Sequence, residues 1–309
     1  MRRHAPNQDI PADARGASIA LGNFDGVHKG HQAVIAAARA QGGRTAGAVF
    51  APHPRRVFNP DAPPFLLQNA GQRARAIAAL GVHELFEIAF REDFAQLSGE
   101  DFARYILKEM LGARHVAVGE DFRFGRGRER DAAALAALGQ SLGFGVTAVA
   151  PVKGDGARIS STAIRDAIQR GDMGVAAAML TRPWAIEGVV ARGFQRGRGF
   201  GFATANVALG DYVRPRLGIY AVRVRIDGAP LDGVASVGVN PTVGALPAPV
   251  LEAHVFDFDR ELYGQTIEVE MIAFLREEAH FADVEALKAQ MARDAAAAKA
   301  VLAGQAGSA

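Results

Sequence analysis

The 309-residue sequence contains no cysteine. Disulfides, thiolate zinc sites and cysteine nucleophiles are therefore excluded, and a reducing compartment suits the chain. It holds one tryptophan, and only five of its 35 basic residues are lysine (positions 29, 108, 153, 288 and 299). Its positive charge is therefore almost all arginine. The net charge of +2 gives no reason to expect nucleic-acid binding. No uninterrupted apolar run approaches the ~18 residues of a membrane span, and residues 1–18 lack the apolar core of a signal peptide. The expectation is a soluble cytoplasmic protein with neither a membrane nor a nucleic-acid partner. What is present in quantity is apolar material, 49% of residues against 22% charged, enough at this length for two cores.

The pattern along the chain divides it. From Ser18 to about Ala150, apolar runs (Ser18–Leu21, Thr45–Phe50, Leu85–Ala89, His115–Val118, Val146–Val149) alternate with Ala-rich helical stretches such as Gln32–Ala40, Gln72–Leu80 and Glu100–Leu111. Strand, helix, strand in repetition predicts an α/β domain with a parallel sheet. Further helices are expected at Thr162–Gln169 and Val175–Leu180. At Thr181-Arg182-Pro183-Trp184 the character changes. Closely spaced strand patterns follow (Ala185–Val190, Gly218–Ile226, Gly233–Val239, Val250–Phe258, Thr266–Phe274), then a terminal helix from about Asp283. That order predicts an antiparallel β-barrel or sandwich. The division expected is a leader over 1–17, one domain over 18–182 and a second over 183–309.

Gly22-Asn23-Phe24-Asp25-Gly26-Val27-His28-Lys29-Gly30-His31 joins the first strand to the first helix. Ligands of open α/β sheets sit at the carboxyl ends of strands, and a helix N-terminus there offers unpaired N–H groups to phosphate. His28 and His31 share one helix face, and Gly30 keeps the space between them small-sided. Attack on an α-phosphate needs charge neutralisation and positioning more than a nucleophilic side chain. Taken alone, the pair also fits capping histidines, and a zinc reading has no marked third ligand. The strand–turn–helix setting favours phosphate chemistry. Farther on, Ser160 or Ser161 can cap a helix, and Arg165 falls on the face of Thr162 and Ser161, able to hold phosphate oxygens. The arginines themselves, grouped as Arg123/Arg126/Arg128/Arg130 and Arg192/Arg196/Arg198, fit either phosphate recognition or compositional bias.

In the second half, residues 193–206 are dense in Gly and Arg but precede strand-like sequence, which argues against a dinucleotide fingerprint and for a Gly-rich flap over phosphates. Thr204 and Asn206 are two apart. Standing alone the pair also fits a turn or strand edge; in extended chain both face one way and offer hard oxygens suited to Mg²⁺. Alternation over Val250–Phe258 puts Glu252, His254 and Phe256 on one face. Taken alone, Glu252 also fits a solvent-facing strand carboxylate.

The motif from Gly22 to His31 resembles that of the His-x-Gly-His nucleotidyltransferases, and more closely the bacterial bifunctional riboflavin kinase/FAD synthetase family. Phe50-Ala51-Pro52-His53-Pro54, Gly119–Gly125 and Ile159–Arg165 resemble that family's further motifs in order, and the likeness runs from Ser18 to about Ala296. The resemblance implies a Rossmann-like nucleotidyltransferase domain followed by a kinase barrel. For adenylyl transfer it implies catalytic His28 and His31. ATP would be held by Gly22, Asn23, Phe24, Asp25, Gly30, Ser161, Thr162 and Arg165, and the flavin by His53, Asp121 and Phe124. For the kinase it implies Glu252 as base, Gly197, Arg198 and Gly201 over ATP, and Thr204 and Asn206 on Mg²⁺. The implied ligands are ATP, riboflavin, FMN and FAD; the oligomeric state stays open. Two departures are Ala203, where the family has proline before the Thr-x-Asn pair, and Leu66-Leu67-Gln68, where it has a Leu-Thr pair. They leave open a one-activity enzyme or a non-catalytic flavin-binding module.

Overall fold

Ile19 and Leu21 point into one apolar cluster, and Ala20, between them, points into another. A strand buried on both faces needs layers on both sides, and the sheet it belongs to has them. The computed structural model describes residues 1–191, 204–239 and 249–306. The chain divides into two units, residues 1–63 with 70–161, and residues 64–69 with 162–309.

In the first unit the elements run β1 (Arg2–His4), β2 (Ser18–Leu21), α1 (Lys29–Arg39), β3 (Thr45–Ala51), α2 (Pro54–Phe58), α3 (Ala70–Ala79), β4 (Glu84–Ala89), α4 (Glu92–Ala95) and α5 (Gly99–Asp101). A π-helical segment, Phe102–Met110, continues from α5. Then come β5 (His115–Gly119), the short pair β6 (Arg123–Phe124) and β7 (Arg130–Asp131), α6 (Ala132–Leu142), β8 (Gly145–Val149) and the short pair β9 (Lys153–Gly154) and β10 (Ala157–Arg158). The sheet is six-stranded and parallel, in the order β1-β4-β3-β2-β5-β8. Val34, Ile35 and Ala38 of α1 and Ala74 and Ile77 of α3 cover one face. Phe102, Ala103 and Leu107 of the π-helical segment and Leu135 of α6 cover the other.

Two features depart from expectation. Residues 1–17 are not simply a leader, because Arg2–His4 pairs with Glu84–Phe86 at the sheet edge. Buried Glu84 anchors this end: it accepts from Arg2 at 2.7 Å and lies 2.9 Å from His4 Nε2 and 3.1 Å from Arg44. Helix α6 is the second feature, one the sequence reading did not name. Asp131 caps its N-terminus by accepting from Ala134 N, and Gly143 closes it at φ 75°.

Helix α7 (Ser161–Arg170) starts on the last residue of the first unit, and the second unit holds the rest of it with α8 (Met173–Leu180), β11 (Trp184–Ala191), β12 (Ala205–Ala208), β13 (Gly218–Ile226), β14 (Ala229–Val239), β15 (Pro249–Val255), β16 (Thr266–Arg276) and α9 (Val284–Ala306). The strands close an antiparallel barrel in the order β11-β12-β15-β14-β13-β16. Trp184, Tyr220, Val222, Leu251, Val269 and Met271 fill it. Residues 64–69 belong to this core. Leu67 is fully buried, its carbonyl accepts from Trp184 Nε1 at 2.8 Å, and Asn69 donates to Glu187 at 2.9 Å. Among the described residues no helix is long and apolar enough to cross a membrane.

Candidate functional site

The strand order reverses beside β2: the chain steps from β2 to β3 and β4 on one side, then returns to β5 and β8 on the other. Such a switch point opens a crevice at the carboxyl ends of the strands. A cavity of about 260 Å³ lies there, lined by Leu21 at the end of β2 and Gly22 after it, Gly119 at the end of β5, Val149 at the end of β8, and His28 and His31 of the motif.

The loop entering α1 is strained. Phe24, Gly26 and Val27 take φ of 51°, 91° and 45°, and for a β-branched residue such as Val27 this is an outlier costing on the order of 1–3 kcal/mol. Two side chains hold its carbonyls: Gln32 Nε2 donates to Val27 O at 3.0 Å, and Ser161 Oγ to Asp25 O at 2.8 Å. Ser161 thus faces the loop itself rather than standing clear of it. Asp25 is 4% exposed.

His28 is the N-cap of α1, with Nδ1 accepting from Gly30 N at 3.1 Å and His31 N at 3.4 Å. An accepting Nδ1 leaves the ring proton on Nε2. The capping reading and the catalytic reading are therefore compatible, since one ring nitrogen caps while the other donates. The His31 ring stacks on His28 at 3.7 Å between centroids, and Phe24 meets His31 edge-on at 5.3 Å. Gly30 serves this stack first, because a Cβ there would lie 3.0 Å from His28 Cε1.

Asp121 and Arg158 line the same cavity and form an ion pair with each other. Phe124, expected to lie against a flavin, does not line this cavity. It is 5% exposed, in the sheet core, packed on Phe102 at 5.6 Å. Phe122, stacked on Phe124 at 5.8 Å, lines the cavity instead. His53 caps α2 by accepting from Arg55 N at 3.1 Å and does not line this cavity. Thr162 and Arg165 fall in the second unit, where Arg165 Nε donates to the Phe65 carbonyl at 2.6 Å.

In the barrel, Asn206 of β12 stands directly opposite Glu252 of β15, which in turn stands opposite Ser236 of β14. Residues paired across antiparallel strands share a face. Thr204, Ser236, Glu252 and His254 line a cavity of about 280 Å³. Leu251, Ala253 and Val255 point into the barrel core, as the alternation predicted. Asn206 is 9% exposed, with Nδ2 3.5 Å from the Thr204 carbonyl. Its Oδ1 and the Thr204 hydroxyl are neutral hard donors, fit for a cation that brings anionic ligands of its own. Sequence reasoning missed the opposite wall, Leu287 and Met291 of α9 with Phe281. Arg276 fixes that wall through a two-point bond to Asp294 of α9, 2.8 and 2.5 Å, and the carboxylate raises the Arg276 pKa above its usual value. Gly197, Arg198, Gly201 and Ala203 lie outside the described residues.

A switch-point crevice carrying His-x-Gly-His, in a chain that also holds a barrel with an Asn–Glu pair, defines a nucleotide-using enzyme of two modules. Comparison with known proteins agrees. A family model described as FAD synthetase matches residues 10–163, and one described as riboflavin kinase matches residues 180–302. The bifunctional riboflavin kinase/FMN adenylyltransferase of Pseudomonas fluorescens is 40% identical over 299 residues, covering 96% of each chain. That of Escherichia coli K12 is 38% identical over 288 residues, covering 92% of each. A solved Streptococcus pneumoniae chain, described as a macrolide-efflux protein, superposes with TM-score 0.80 at 32% identity over 90% of this chain and 92% of its own. The chain belongs to the bifunctional riboflavin kinase/FMN adenylyltransferase family.

Proposed function

We propose that the protein makes FAD in two ATP-dependent steps. The region 183–309 phosphorylates riboflavin, and the region 18–182 adenylylates the resulting FMN. The observation that carries this reading is that the two motif sets line two separate cavities, His28 and His31 in one, Thr204 and Glu252 in the other.

In the first step the riboflavin 5′-hydroxyl oxygen attacks the γ-phosphorus of ATP. The bond from that phosphorus to the β-bridging oxygen breaks, ADP leaves, and Glu252 takes the hydroxyl proton. Thr204 and Asn206 would hold Mg²⁺, which would neutralise charge on the ATP phosphates. Gly197, Arg198 and Gly201 cover the phosphates. The apolar wall of Phe281, Leu287 and Met291 suits a flat flavin ring.

In the second step a phosphate oxygen of FMN attacks the α-phosphorus of a second ATP. The bond to the β-phosphate side breaks and pyrophosphate leaves. His28 Nε2, His31 and the N-terminus of α1 donate to the non-bridging oxygens, where charge builds up. Gly22, Asn23, Phe24, Asp25 and Gly30 shape the nucleotide site, and Ser161 closes it on the pyrophosphate side. Asp121, with Phe122, takes the flavin side; His53 flanks it. The work belongs in the cytoplasm, where ATP and reduced conditions coincide, and the small net charge gives no pull toward nucleic acid.

Incubation with riboflavin, ATP and Mg²⁺ tests the reading through a time course resolving FMN from FAD. FMN is expected to rise and then fall as FAD accumulates, with both ADP and pyrophosphate released. A flavin that binds without turnover would overturn the proposal, and accumulation of FMN alone would remove the second step.

A further inference from the structure

The strained loop has a third support, from a residue that none of the motifs contains. Arg73 of α3 donates through Nη1 to the Asn23 carbonyl at 3.2 Å. With Gln32 on Val27 and Ser161 on Asp25, the carbonyls of residues 23, 25 and 27 are each held by a side chain from a different helix. Each pinned carbonyl adjoins one of the positive-φ residues Phe24, Gly26 and Val27. Arg73 is 9% exposed, its Nε is buried without a hydrogen-bond partner, and the Asn23 Oδ1 is buried in the same condition. Burial draws the guanidinium below its usual pKa, and the negative charge of Asp25 opposes that pull. A buried charge with so few bonds is a poor way to stabilise a fold. Retaining it makes sense where a fixed fork must aim one peptide and balance one carboxylate.

We infer that Arg73 is a positioning residue for adenylyl transfer. It acts through the backbone of residues 22–27, holding the loop in the form that presents its N–H groups and His28 to the nucleotide. The inference rests on the adenylyl-transfer reading of this loop. Arg73 touches no reacting atom. It keeps the Asn23 peptide turned and sets a positive charge within the field of the Asp25 carboxylate.

The test uses the full-length chain and follows both steps. Arg73→Met keeps length and bulk but removes the donors and the charge. It is expected to lower kcat/KM for FAD formation about 100-fold, chiefly through a higher KM for ATP, while FMN formation from riboflavin stays within about twofold. Arg73→Lys, which restores the charge, is expected to recover about tenfold of the loss. Combining Arg73→Met with Gln32→Ala should cost less than the product of the two single losses, because both act on one loop. FAD formation within about threefold of wild type in Arg73→Met would overturn the inference. So would equal losses in both steps with a lowered Tm, or independent, multiplicative losses in the double variant. A wild-type chain that forms no FAD from added FMN would instead sink the reading beneath it.

Discussion

The two cavities are built in contrasting ways. Around residues 22–27 the backbone is strained, with three residues at positive φ, and side chains from α1, α3 and the start of α7 hold it in place. Around Glu252 the backbone is regular. Asn206, Glu252 and Ser236 are neighbours because three antiparallel strands are in register. A strained loop places groups finely but depends on contacts far away in sequence, whereas a barrel wall inherits its precision from the ladder and depends on its own strands. Damage at the first site should therefore travel, and damage at the second should stay local.

The largest expected effect breaks the second site alone. Glu252→Gln should slow FMN formation by about 10²–10⁴-fold, the scale of general-base catalysis, while FAD formation from added FMN continues. Equal loss of both steps, measured side by side, would mean that the two sites are not independent. Next comes His31→Ala, expected to cut FAD formation by about 100-fold or more through loss of an oxyanion donor and the stack on His28. FMN should then accumulate; near-normal FAD production would take His31 out of the chemistry. A smaller effect is expected from Asp294→Asn, which weakens the two-point bond to Arg276. The riboflavin KM should rise about tenfold with kcat little changed, and an unchanged KM would show that α9 needs no such pin.

The smallest effect sharpens the contrast by touching neither cavity. Burial alone would push the Glu84 carboxyl up, but hydrogen bonds from Arg2 and His4 outweigh it, so its folded pKa lies below the ordinary one. Its contribution is therefore complete above the unfolded carboxylate pKa of about 4.3 and is lost as pH falls through the folded value. Glu84→Gln should cost about 1–2 kcal/mol at neutral pH and flatten the acid limb of stability, with both activities intact. Denaturant melts of variant and wild type that keep a constant gap down to about pH 3 would refute this.

Local sequence carried much of this. The strand–turn–helix at residues 18–39 was legible because turn, cap and apolar spacing all lie within one stretch, and the alternation over residues 250–255 put Glu252 on the correct face. What local sequence left open has physical causes. Arg2–His4 carries no apolar signal because an edge strand of three residues can be polar. Phe124 and Phe122 are two apart, and sequence alone does not say which lines the cavity and which enters the core. Arg73 reaches Asn23 across 50 residues, and Asp294 reaches Arg276 only through the docking of α9. Contacts of that kind are set by tertiary structure, which no window of residues contains.

Residues 64–69 have a consequence for how the molecule is made and inherited. Leu67 leaves the ribosome 117 residues ahead of Trp184, the side chain that bonds its carbonyl. The barrel core therefore closes on a segment synthesised long before it. No single cut separates the modules cleanly. A fragment beginning at residue 183 leaves the Trp184 indole N–H without its acceptor and a void where Leu67 packs. Recombination that transplants the barrel intact must carry two pieces of gene, a constraint that favours keeping both activities on one polypeptide.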